Sequence, residues 1–246
     1  MAIERIHLLK VPVDILPPER MEEEILNLLQ KAGTKQIILL SVWDLLKARR
    51  NDKFGECVRN ADLVLPISKS IIRGASFLKL PVPIRYNPFS SIISLLSILE
   101  SHYKSLYLFG GHKKTLVQAE RNVHATFPNI KIIGRYVGYY PKNVETDIIS
   151  AIYKASPSLV LVGDGVPEKN AWVFQRRNRF SSSTFIYNGD ILNIFSKRKK
   201  RIPEKTFDKG LEIWSEIFHN PLKIFLFLPF MRYKFLLLWA KIKNNS

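Results

Sequence analysis

Two glycine-bearing blocks hold the clearest chemistry in this chain. Gly110 and Gly111 close the apolar run Leu106 to Phe109 and are followed at once by His112, Lys113 and Lys114. Gly163, Asp164, Gly165, Val166 and Pro167 close Leu159 to Val162 and lead into Lys169 and Trp172. A short apolar run that ends in glycine and opens into helix-like sequence reads as a parallel strand delivering backbone to a ligand. Backbone N–H groups at such a junction attract phosphate, aided by the helix N-terminus, and the basic residues after Gly111 would reinforce an anion site. A tight turn before a solvated basic helix explains the Gly-Gly pair equally simply. The second block is more specific, because two glycines one residue apart let the chain turn sharply and let a ligand reach the backbone. Lys169 could meet a diphosphate there as a point charge. Tyr139 and Tyr140 stand between the blocks, where a flat ring can either stack on a base or close a strand end.

Proton transfer has fewer candidates. Ser41 and Asp44 follow the apolar run beginning at Ile37, and Asp44 is the nearest carboxylate to the expected pocket. An acid at that place also reads as a helix cap. The five histidines lack the spacing of a metal site, no Asp-x-Asp pair is present, and no nucleophile elbow appears. Cys57 is alone, which excludes an internal disulfide and fits a reducing compartment.

The elements that must hold these residues alternate. Apolar runs at 3–13, 37–42, 62–66, 106–109, 130–133, 159–162 and 184–187 read as strands, separated by amphipathic segments at 17–30, 44–59, 68–78, 90–104, 112–127, 146–155 and 171–180. This βαβ alternation predicts an α/β, Rossmann-like, mainly parallel sheet. A domain of residues 1–196 is expected, followed by an appendage of residues 197–246, because the composition shifts near Ser196. No signal peptide and no uninterrupted apolar span of about 20 residues is visible, so a cytoplasmic location is expected, free or on the inner face of a membrane.

The net charge is +17, from 38 basic and 21 acidic residues, and from Lys197 onward 12 basic residues face 4 acidic ones. That asymmetry calls for a localised anionic partner. The run Lys197, Arg198, Lys199, Lys200 and Arg201 leads into a tail where Phe225, Phe227, Phe230, Arg232, Phe235 and Trp239 interleave apolar and basic groups. Such a mixture suits an anionic membrane surface better than nucleic acid.

The two glycine blocks and a third between them, Gly134 to Tyr140, taken in order resemble the WecG/TagA/CpsF glycosyltransferases from about Ile3 to Pro221. Gly110, Gly111, Gly163, Gly165, Pro167, Trp172 and Arg85 match that family's positions, as do Gly210, Leu211, Glu212, Asn220 and Pro221 in the tail. Tyr139 and Tyr140 answer its Gly-Tyr-Phe. Departures are equally specific. Ile67 stands where the family keeps its presumed catalytic Asp, Trp43 replaces an Asn, Lys169 and Asn170 replace Gln-Glu, and Asn193 and Lys197 replace an Asp and a Gly. The resemblance implies a metal-independent, cofactor-free, inverting transfer of an N-acetylmannosamine-type sugar from UDP to a lipid-diphosphate-linked sugar. It further implies substrate contacts at Gly110, Gly111, Tyr139, Gly163, Gly165, Pro167, Lys169 and Arg85. Asp44 and Ser41 are then the catalytic candidates, and Arg232 with the 197–201 run would face acceptor and membrane. A catalytically silent relative that binds a nucleotide sugar or lipid-linked glycan and regulates a partner is the alternative. A homo-oligomer is compatible with both.

Overall fold

The computed structural model describes residues 3–210 and 227–244. Tail matches at Leu211, Glu212, Asn220 and Pro221, and Phe225, lie outside the described residues. The chain opens with an antiparallel hairpin, β1 (Glu4–Leu8) and β2 (Val11–Ile15), then α1 (Met21–Gln30). Next come β3 (Lys35–Leu40), α2 (Val42–Ala48), α3 (Lys53–Arg59), β4 (Leu63–Pro66), α4 (Lys69–Phe77) and α5 (Pro88–Ser101). The second half runs β5 (Ser105–Phe109), α6 (Lys113–Thr126), β6 (Lys131–Tyr136), α7 (Glu145–Ala155), β7 (Leu159–Val162), α8 (Asn170–Arg176), β8 (Thr184–Tyr187) and α9 (Ile191–Phe195). After it follow α10 (Glu204–Lys209) and α11 (Phe227–Asn244).

Six strands form one parallel sheet in the order β4-β3-β8-β7-β5-β6. The expected α/β, Rossmann-like sheet is therefore present. Strands β3, β4 and β7 are buried along their whole length, as a sheet covered on both faces requires. Side-chain alternation divides the core. Ile37, Leu39, Leu106, Leu108, Leu159 and Leu161 meet α1, α5, α6 and α9. On the opposite face, Ile38 and Leu40 meet α2, α3 and α4, while Val160 and Val162 meet α7 and α8.

Two expected elements are divided. The 3–13 strand is a hairpin, because Leu9 and Lys10 turn the chain through positive φ. The 44–59 helix is two helices, since the Asp52 side chain accepts from Gly55 N at 2.8 Å and starts α3 afresh.

The hairpin is fastened to the sheet edge by one buried carboxylate. Asp14, 2% exposed, accepts from Arg5 Nε at 2.6 Å and Nη2 at 2.8 Å, and from the Val64 N–H at 2.6 Å. The hydrogen bond to Asp14, acting against burial, raises the Arg5 guanidinium further above its usual value. Asp14→Asn removes the charge but keeps the shape, and is expected to cost about 2 kcal/mol in a urea melt. An unchanged midpoint would show that the hairpin is held by its apolar face alone.

Candidate active site

Strand order places the candidate residues before any side chain is considered. From β5 the chain moves outward to β6, then returns to β7 on the other side of β5, so the crevice between the carboxyl ends of β5 and β7 is a topological switch point. Gly110 and Gly111 leave β5 there, and Gly163 to Gly165 leave β7. Two strands further across, β3 delivers Ser41 and Asp44 at the same end of the sheet, and β8 between them delivers Tyr187.

The glycine loops are knitted to one another. Gly110 N–H donates to Tyr136 O at 2.9 Å, Gly111 N–H to Asp164 O at 2.8 Å, and Gly138 N–H to Gly111 O at 2.9 Å. The N–H groups expected to face a phosphate are thus spent within the protein. The open donors belong to the first turn of α6, which starts at His112 without a side-chain cap. Gly110 has φ +139°, and a Cβ there would stand 2.7 Å from the Gly163 backbone. Only glycine fits.

Tyr139 is 54% exposed at the mouth of the crevice. His112 stacks on its ring at 4.1 Å with 7° between the planes, and a Cβ on Gly165 would lie 2.6 Å from the same ring. The flat face offered to a base is therefore shared with an imidazole. The Tyr139 hydroxyl donates to Asp164 Oδ2 at 3.1 Å, and the Asp164 charge raises the phenol above its usual range. Tyr140 behaves differently. It stacks on Phe109 and donates to Glu145, which also accepts from Trp172 Nε1 at 2.7 Å. Burial works to raise the Glu145 carboxyl, but hydrogen bonds from Trp172 and Arg176 and the Arg176 charge hold it below the usual range. Trp172 is fully buried and belongs to the core.

Beyond the exposed Pro167, Glu168 and Lys169 both have positive φ, +56° and +54°. Two consecutive side-chain-bearing residues in that region make a strained turn of the kind found at binding sites, and it leaves Lys169 exposed beside α8.

On the β3 side, Ser41 and Asp44 form a complete capping box. Ser41 Oγ accepts from Asp44 N–H at 3.1 Å, while Asp44 Oδ2 accepts from the Ser41 N–H at 3.3 Å and the Ser41 hydroxyl at 2.6 Å. The structural role anticipated for Asp44 is present. Tyr187, invisible in the sequence as a site residue, stands between the two halves. Burial, followed by the charges of Asp164, Asp190 and Asp44, pushes its phenol up to about 12. It is a neutral hydrogen-bond donor at physiological pH. Ile67 packs against the core, and its carbonyl accepts from Arg85 Nε at 2.9 Å. Arg85, expected to touch substrate, also donates to Phe207 O and lies 3.6 Å over the Phe207 ring, tying α10 to the end of β4.

Burial pushes the Cys57 thiol up to about 12, which leaves it an inert core group. Among the described residues, no group of three or more His, Cys, Asp or Glu could hold a metal ion.

The basic run is exposed from Lys197 to Arg201. Lys199 pairs with Asp190 at 2.6 Å, and Arg201 lies over the Phe89 ring. Pro229 lies in the first turn of α11, a place where its missing N–H costs nothing. Tyr233 and Leu237 of α11 are buried against α4, with the Tyr233 hydroxyl donating to Ser70 O at 2.7 Å. Between α2 and α11 lies a cavity of about 510 Å³ lined by Trp43, Leu46, Lys47, Arg50, Leu228, Pro229 and Arg232. Among the described residues, no helix is long and apolar enough to cross a membrane.

A model of the glycosyl transferase WecG/TagA/CpsF family matches residues 6–246. The chain belongs to this family. Among similar proteins is the N-acetylglucosaminyldiphosphoundecaprenol N-acetyl-beta-D-mannosaminyltransferase of Bacillus spizizenii W23, 23% identical over 71% of this chain and 67% of that protein. The transferase of the same name from Staphylococcus aureus NCTC 8325 is 23% identical over 63% of this chain and 61% of its own length. The chain thus spans between six tenths and two thirds of these WecG/TagA/CpsF relatives.

Proposed function

We propose that this protein is a glycosyltransferase that moves an N-acetylmannosamine-type sugar from UDP to a lipid-diphosphate-linked sugar, with inversion, in cell-envelope polysaccharide synthesis. The observation that carries the proposal is the meeting of three glycine loops at the β5–β7 switch point of a WecG/TagA/CpsF sheet. The names of both relatives describe transfer of an N-acetyl-beta-D-mannosaminyl group to an N-acetylglucosaminyldiphosphoundecaprenol, which supports the acceptor class and the sugar.

In this reading the donor diphosphate lies at the N-terminus of α6, where Lys113, Lys114 and Lys169 supply positive charge to the leaving group. The uracil stacks at the Tyr139–His112 pair, and Gly163, Gly165 and Pro167 give the backbone its close approach. Transfer requires the acceptor hydroxyl to attack the anomeric carbon while its proton passes to a base and UDP departs. Ile67 cannot take a proton. Asp44, oriented by Ser41, is the base we propose, with the neutral Tyr187 phenol between it and the donor crevice. The cavity beside Arg232 would take the acceptor diphosphate against Lys47 and Arg50, with its lipid passing over Trp43 and Leu228. The α11 helix and the 197–201 run would then hold the protein on the cytoplasmic face of the membrane.

Asp44→Asn is expected to lower kcat at least 100-fold while the donor KM changes less than threefold, with about 1 kcal/mol of stability lost through the weakened cap. An unchanged kcat would remove Asp44 from the mechanism.

A further inference from the structure

Tyr139 has a neighbour on each face of its ring. On one side lies Gly165, at φ +78°. A Cβ there would stand 2.6 Å from Tyr139 Cδ2, 2.6 Å from Cε2 and 2.9 Å from Cγ. Near-equal distances to three ring atoms put that point over the face of the ring, not at its edge. His112 is stacked with centroids 4.1 Å apart and 7° between the planes. An imidazole on the Gly165 side would come closer to the Cβ point than Tyr139 Cγ does, yet the three nearest atoms all belong to Tyr139. His112 therefore covers the opposite face. The Tyr139 hydroxyl is held as well, donating to Asp164 Oδ2 at 3.1 Å.

A base lying flat on Tyr139 would have to push one of these neighbours aside. Gly165 is backbone, and the residue before it is tied to the β5 loop by the bond from Gly111 N–H to Asp164 O. His112 is freer but already well placed to serve. It is exposed, and its side chain caps nothing at the start of α6. Among the described residues its ring nitrogens have no hydrogen-bond partner, and Tyr139 is its one ring contact. Its outer face is thus a flat π surface, backed by a phenol that Gly165 and Asp164 fix in turn. A surface already in place spares the ordering that uncovering Tyr139 would cost, and base stacking asks only for a π face.

We infer that the donor's uracil stacks on the outer face of His112, with Tyr139 as the support behind the imidazole and not the surface the base meets. The inference rests on the reading that this crevice holds a UDP-sugar. It adds a base-binding residue outside the glycine blocks and gives the Tyr139 ring, wedged between Gly165 and His112, a positioning role.

UDP affinity should be measured by calorimetry for the wild type, His112→Ala, His112→Phe and His112→Lys, with melting temperatures alongside. The exposed, non-capping side chain makes unchanged melting temperatures the expectation. His112→Ala should weaken UDP at least tenfold, about 1.4 kcal/mol, and His112→Lys equally, since lysine keeps a cation but has no π face. His112→Phe should bind within threefold of wild type. Unchanged or tighter binding by His112→Ala would mean that the base lies on Tyr139 itself, and would overturn the inference. So would a weak His112→Phe beside a wild-type-like His112→Lys, which would place His112 on the phosphates. Equal losses in all three variants would make the contact a hydrogen bond of the imidazole and would overturn the stack as well. Wild-type protein that does not bind UDP would end the nucleotide reading itself, a failure distinct from these.

Discussion

Gly110→Ala is expected to destabilise the protein by about 4 kcal/mol and to abolish UDP binding in whatever fraction stays folded. Two costs add. Alanine at φ +139° is in a region that L residues rarely adopt, worth about 1–3 kcal/mol. Its Cβ would also press on Gly163 Cα and N at 2.7 Å, and backbone cannot rotate away as a side chain can. Relief requires β5 and β7 to part at their carboxyl ends, at a further cost of about 1–3 kcal/mol. That movement breaks the Gly163 N–H to Phe109 O bond of 2.7 Å and opens the crevice. Chemical denaturation and UDP titration of the variant read the two effects separately. A variant as stable as wild type would mean that the loops are not locked together as described.

The second large effect concerns the outer face of α11. Phe230, Tyr233, Leu237 and Ala240 turn toward the protein, at the spacing of one helical stripe. The opposite stripe leaves Leu228, Met231, Phe235, Leu238, Trp239 and Ile242 between 50% and 70% exposed. Arg232, Lys234, Lys241 and Lys243 lie among them. The helix thus docks by one side and presents an apolar, basic-rimmed surface on the other, the pattern of an interfacial helix. Each large apolar side chain buried in the acyl boundary is worth about 1.5–3 kcal/mol. Replacing Leu238 and Trp239 together by glutamate is therefore expected to lower binding to anionic vesicles at least 100-fold, about 2.7 kcal/mol, with little change in melting temperature. These substitutions are preferred to truncation at Ser196, which would strip Tyr233 and Leu237 from the core. Vesicle sedimentation that is indifferent to the double substitution would remove this face from membrane contact.

The sheet was legible because its strands are short, mostly apolar and bounded by turn residues. The runs at 159–162 and 184–187 coincide with β7 and β8. The hairpin was hidden because Leu9 and Lys10 adopt positive φ without a glycine or asparagine to announce the turn. The α2–α3 break was hidden because it depends on a cap made by Asp52 inside an otherwise continuous pattern. The glycine loops of the site were legible, for no other residue allows their backbones to meet. Their chemistry was not. That Gly110 and Gly111 spend their N–H groups on carbonyls follows from the pairing of β5 with β6 and β7, which no local pattern encodes. The bonds that Arg85 gives to the carbonyls of Ile67 and Phe207 were not legible either, because they join segments far apart in the chain. Asp164 and Tyr187 were passed over because their importance lies in burial and in neighbours from distant segments.

The central claim is that the switch-point crevice binds a UDP-sugar and that the protein turns it over. Purified full-length protein should be titrated calorimetrically with UDP-N-acetylmannosamine, and UDP release followed in the same samples with a lipid-diphosphate-linked N-acetylglucosamine acceptor. The account predicts saturable donor binding that Gly165→Val weakens at least tenfold, about 1.4 kcal/mol, through collision with Tyr139, and UDP release that depends on the acceptor. Donor binding without acceptor-dependent release would contradict the transferase assignment, and no donor binding at all would contradict the placement of the site.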